Sequence, residues 1–85
     1  MRDLTLSFIK RHRLEDTSLG FREGIDCFFE DLEDNLPRLT VKELSSLIKD
    51  KLKRARMNFE NSLEHSKARE FHRGFIFACE FYLGI

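Results

Sequence analysis

Apolar residues recur along this chain at spacings of three and four, and no stretch sustains the apolar–polar alternation of a half-buried strand. The pattern predicts an all-α domain. Leu4, Phe8 and Ile9 share one face of a short first helix over Asp3–Arg13, whose Lys10, Arg11 and Arg13 suit the negative end of the helix dipole. Leu14 to Ser18 turn the chain. A second helix follows from about Thr17 to Asn35, with Phe21, Ile25, Phe28, Phe29, Leu32 and Leu36 at the spacing of one helical face and Glu23, Asp26, Glu30 and Glu33 on another. Pro37 ends it, because a proline pushes the residue before it out of the helical region.

The helix restarts at Thr40. A threonine N-cap with a glutamate three residues on, Glu43, makes a capping box, and Leu39 and Leu44 are placed as a hydrophobic staple across it. From Val41 the stripe runs through Leu44, Ile48, Leu52, Ala55, Phe59 and Leu63. A second apolar set, Phe71, Phe75, Ala78 and Tyr82, lies about 150° around the axis from the first. Such a phase change arises either from a break near Asn61–Ser66 or from one long helix that passes its buried face between two partners. With no Gly or Pro in the region, the second is the expectation. The predicted architecture is a bundle of three to four helices in a single domain, 1–85, with a long, continuous or kinked C-terminal helix.

The closing segment is apolar over most of its circumference, because Ile76, Phe77 and Phe81 lie off the main stripe. A helix apolar nearly all round needs cover on several sides, and two short helices offer little. The expectation is a homo-oligomer with Phe71, Gly74, Phe75, Ala78 and Tyr82 at its interface. Gly74 and Gly24 recur in the similar strings FHRGF and FREGI, where each allows a close helix approach.

Composition narrows the class. Eighty-five residues are enough for one core only. Charged residues make up 35% and apolar ones 41%, with 15 bases against 15 acids, which excludes a disordered tail and a uniformly basic nucleic-acid binder. Cys27 and Cys79 stand in apolar segments without metal-type spacing and read as buried free thiols. No signal peptide is evident, and the apolar tail, interrupted by Arg73 and Glu80, is shorter than the roughly 20 residues a membrane span needs. A soluble, cytoplasmic protein without membrane partners is expected.

Candidate chemistry is sparse. No phosphate-binding glycine loop, nucleophile elbow, zinc-protease motif or C-x-x-C pair occurs, so an enzyme is not expected, nor a cofactor. His12 and His65 are flanked by polar or charged residues and His72 by Arg73 on one side, and all three read as solvated. The acidic stripe of the second helix lacks the inward Glu-x-x-His pairs of a carboxylate-bridged metal site.

The balanced total conceals strong local asymmetry. Residues 15–34 hold eight acids and one base, whereas residues 38–56 hold seven bases and two acids. Lys42, Lys49, Lys53 and Arg56 line one side of the third helix as a basic ridge, and Arg69 and Arg73, with His65 and His72, form a second candidate anion site. A ridge of this kind follows a phosphate backbone, holds a nucleotide or engages an acidic partner protein. No aromatic platform for base stacking accompanies it. In size and in its polar-then-apolar closing helix the chain is similar to small helical accessory proteins of bacteriophages, among them inhibitors of host defence. That likeness and the charge pattern imply a protein-binding regulator or inhibitor first, and a nucleic-acid or nucleotide binder second.

Overall fold

Residues 2–85 are described by a computed structural model with four helices, α1 (Asp3–Arg11), α2 (Leu19–Asn35), α3 (Val41–Glu60) and α4 (Lys67–Leu83). No helix is long and apolar enough to cross a membrane. The start of each long helix is written in a hydroxyl. Ser18 accepts a hydrogen bond from the Phe21 amide at 3.2 Å and Ser66 one from the Arg69 amide at 3.1 Å. The capping box at Thr40 is complete: its hydroxyl accepts from the Glu43 amide at 3.2 Å while the Glu43 carboxylate accepts from the Thr40 amide at 3.0 Å. Those bonds hold the Glu43 carboxyl below its ordinary pKa.

The long C-terminal helix expected from Val41 onward does not form. α3 stops at Glu60, and residues 61–66 reverse the chain through His65, whose φ of 62° is left-handed. Side chains replace helical bonds here. The Ser62 hydroxyl donates to the Asn58 carbonyl. The Arg69 guanidinium donates to the carbonyls of Phe59 and Ser62, both at 3.2 Å, and lies 4.0 Å over the Phe59 ring. The Phe59 carbonyl, which also accepts from the Ser62 amide at 3.2 Å, and the Ser62 carbonyl in the turn thus share a cation from α4. The 150° phase change is the mark of a helical hairpin whose two arms each turn a stripe to one core.

α4 packs along both α2 and α3, whose own backbones hardly approach each other. Contacts ascend together along α2 and α4, Gly20 with Lys67, Gly24 with Phe71 and Phe28 with Phe75, so these two helices run parallel. At their crossing the backbones touch. A Cβ on Gly24 would lie 2.0 Å from the Phe71 carbonyl oxygen, and one on Gly74 would lie 2.0 Å from that of Phe21. The pairing is reciprocal: in each helix the phenylalanine three positions before the glycine supplies the carbonyl that the other glycine admits. Around this crossing Ile25, Phe28, Ile48 and Cys79 are almost wholly buried, with Leu44, Leu52, Phe75 and Ala78 beside them.

α1 is held at its start and by its buried face of Thr5, Phe8 and Ile9. The Arg2 amide donates to the Asp26 carboxylate at 2.9 Å, and the Arg2 guanidinium reaches Glu33 and, at 3.9 Å, Glu30. Phe8 meets Phe29, Phe77 and Phe81 edge to face, with centroids 5.2–5.9 Å apart. Burial opposes the Asp26 charge, but the Arg2 amide, then the Thr5 hydroxyl and nearby positive charge, the Arg2 guanidinium included, together outweigh it and lower its pKa.

Two outcomes test this account. Gly24→Ala and Gly74→Ala each force a backbone apart and are expected to cost about 3 kcal/mol in urea denaturation. Gly20→Ala, whose added carbon meets a backbone oxygen at 2.9 Å, should cost less. Losses under about 0.5 kcal/mol for the first two would contradict the close crossing. For α1, a carboxyl with a lowered folded pKa stabilises the fold above its ordinary value of 3.8, and that contribution fades as pH falls below it. Asp26→Asn should therefore lower the melting temperature by about 5 °C at pH 7, and the gap should narrow progressively as the pH is taken below 3.8. A gap that persists unchanged at acid pH would mean that the charge contributes nothing.

Candidate interaction surfaces

Three of the five side chains expected at an oligomer interface are committed inside the monomer. Gly74 lies against α2, Phe75 is 8% exposed and Ala78 1% exposed, so none of them is available to a second copy. The physical reason is the glycine crossing, which brings α2 close enough to cover α4 where two ordinary helices would leave it open. α3 covers a second side, and Phe8 of α1 a third. Phe71 remains half-buried, and Tyr82 is 36% exposed with its ring 6.0 Å from that of Phe28.

What stays open on α4 is its C-terminal end. Phe81 is 53% and Ile85 74% exposed, and Leu4 of α1 is 48% exposed. Leu4, Phe8, Phe29 and Phe81 line one groove of about 250 Å³, with Ser7, Arg11 and His12 at its edge. His12, expected in solvent, belongs to this aromatic cluster. Its ring lies 4.3 Å from Phe8 and 4.5 Å from Phe81, and its Nδ1–H donates to the Phe8 carbonyl at 3.0 Å. Phe81 was legible as a residue off the main stripe; that Leu4 would meet it depended on where α1 docks. Val41, Met57 and Leu63 are also exposed, but as scattered residues of the kind any monomer carries.

The basic candidates divide. Lys42, Lys49 and Lys53 form an exposed row on α3 with no carboxylate partner among the described residues. Arg56, expected in the same row, is drawn to Glu80 of α4 at 2.9 Å. Arg69 belongs to the α3–α4 turn and is not a free anion site. Arg73 pairs loosely with Glu70 at 3.4 Å and lies 5.4 Å from the Phe21 ring centroid. The acidic face of α2 is met mainly from elsewhere: by Arg2, by Lys67 on Glu23 at 3.3 Å, and by Lys51 on Asp31 at 3.0 Å.

The thiols are free but differ in setting. Burial pushes the Cys79 thiol up to about 12, which leaves it protonated and unreactive at neutral pH. Cys27 is half-buried, and its pKa is raised by burial and then by Asp31 and Glu30.

Fold and surfaces together define a small all-α bundle with a closed core, one apolar end and one unpaired basic row. Comparison with protein-family models, with curated proteins and with solved structures finds no match to this chain.

The division of the cations has a measurable consequence. Arg69→Gln removes two hydrogen bonds to the end of α3 and the stacking on Phe59, and is expected to cost about 2 kcal/mol in urea denaturation. Replacing Lys49 and Lys53 together by Gln should change stability by less than about 0.5 kcal/mol. The reverse order would make the lysine row structural.

Proposed function

We propose that this chain is a non-enzymatic protein-interaction module, a small regulator or inhibitor, that self-associates through the apolar end formed by α4 and α1. The observation that carries the reading is the groove in which Phe81, more than half exposed, stands beside Leu4, with Tyr82 and Ile85 continuing along the same helix end. Aromatic residues at the centre of a patch, with polar groups at its edge, are the usual make-up of an interface core and rim. Arg11 and His12 provide such an edge here. A second copy of the chain is the occupant this surface suits, because an apolar patch that meets itself needs no complementary charge.

A second reading rests on the unpaired lysine row. Lys42, Lys49 and Lys53 have the spacing to follow a phosphate backbone, without aromatic stacking beside them. Binding of that kind is sequence-independent and strongly salt-dependent.

Light scattering coupled to size exclusion tests the first reading. At about 100 µM the wild type should run above the 10.1 kDa of one chain, and Phe81→Glu, at an exposed position, should return it to one-chain mass with unchanged circular dichroism. A wild type that stays at one-chain mass at that concentration overturns self-association. For the second reading, retention on duplex DNA at about 50 mM salt should vanish when all three lysines become Gln; no retention by the wild type ends it.

A further inference from the structure

Separate from the apolar end, a groove of about 250 Å³ opens where α2, α3 and α4 converge. Its walls are Phe71 and Phe75 of α4, Ala55 of α3 and the Cys27 thiol of α2, and its rim carries Lys51, Arg54, Asn58 and His72. We propose that this groove binds a small aromatic carboxylate, with the ring lodged against Phe71 and Phe75 and the carboxylate held by Arg54.

The aromatic half follows from the walls. Phe75 packs its ring against Phe28, centroids 5.9 Å apart, and also lines the groove. Phe71 has His72 as its aromatic neighbour, at 5.8 Å, and its half-buried ring turns its open side to the groove. The volume of about 250 Å³ admits one or two fused rings. Cys27, whose raised pKa keeps it neutral, adds apolar surface and no charge.

The anionic half follows from the rim. Of the α3 cations, Lys51 is engaged by Asp31 at 3.0 Å and Arg56 by Glu80 at 2.9 Å. Arg54 has no ion pair and no hydrogen bond among the described residues, even though Asp50 stands one helical turn before it, and the side chains of Asn58 and His72 have no hydrogen bond either. A free guanidinium offers two parallel donors, the geometry that suits a carboxylate. Asn58 and His72 supply further polar contacts at the same edge.

The probe is 2-naphthoate, titrated into uniformly ¹⁵N-labelled protein and followed by amide chemical shifts. Saturable shifts centred on Cys27, Ala55, Asn58, Phe71 and His72 are expected, with a dissociation constant on the order of 1 mM or tighter for a ligand of this size. Neutral 2-naphthylmethanol should bind about tenfold more weakly, and Arg54→Gln, at an exposed position, should weaken 2-naphthoate about tenfold while leaving the unliganded spectrum otherwise unchanged. The proposal is overturned by the absence of saturable shifts at about 5 mM, by equal binding of acid and alcohol, by an Arg54→Gln protein that binds as the wild type does, or by shifts centred instead on Leu4 and Phe81.

Discussion

Two glycines and two carbonyls set the position of everything else in this molecule. Because Gly24 has no Cβ, the Phe71 carbonyl lies where one would be, and Gly74 admits the Phe21 carbonyl in the same way. Helices in such contact pack backbone to backbone, and the side chains flanking the crossing interdigitate at short range. Phe28 and Phe75 meet edge to face on one side of it, and Phe21 and Phe77 meet at 5.9 Å on the other. Once α4 is fixed on α2, the hairpin turn held by Arg69 lays α3 along α4's second side, and Phe8 closes a third. A helix apolar almost all round is thereby covered within one chain, except at its last turn.

The charges follow the same geometry. α2 carries more acids than any other helix, and its partners come from three different places: Arg2 ahead of α1, Lys51 on α3 and Lys67 at the start of α4. Partly exposed pairs of this kind contribute little each, commonly under about 1 kcal/mol. Their effect is to use up cations facing the core. Among the bases without an ion pair, Lys42, Lys49, Lys53 and Arg54 stand together on α3, and the basic character evident in the segment becomes an outward row and one groove-edge guanidinium.

Function is therefore sought at the places the packing leaves unfinished. The core side chains are used for closure, and the deepest thiol, Cys79, is held neutral by burial. Phe81 at the apolar end is more than half exposed, and the lysine row and Arg54 have no ion pair, so these three surfaces have chemistry to offer a ligand. Each favours a different kind of ligand, respectively an apolar protein surface, a polyanion and a small aromatic acid.

Much of the fold was legible because it is local. The class, the helix faces and the capping box at Thr40 depend on residues within four positions of one another, and such short-range hydrogen bonds and periodicities are visible in a linear string; the second helix does end just before Pro37, but Leu36 keeps helical angles and is not pushed out of that region. The chain also showed Gly24 and Gly74 in matching contexts, so a close approach could be named, though not its reciprocity. The break at 61–66 was hidden, since it contains neither Gly nor Pro and depends on Arg69 reaching back across the turn to the carbonyls of Phe59 and Ser62. Only the tertiary structure decided which aromatic residues of α4 are core and which are surface. Gly74, Phe75 and Ala78 share a helical face with Tyr82, yet the first three are buried and the last is not, because burial on α4 is set by how far α2, α3 and Phe8 extend along it, a distance in space that no spacing in the sequence records.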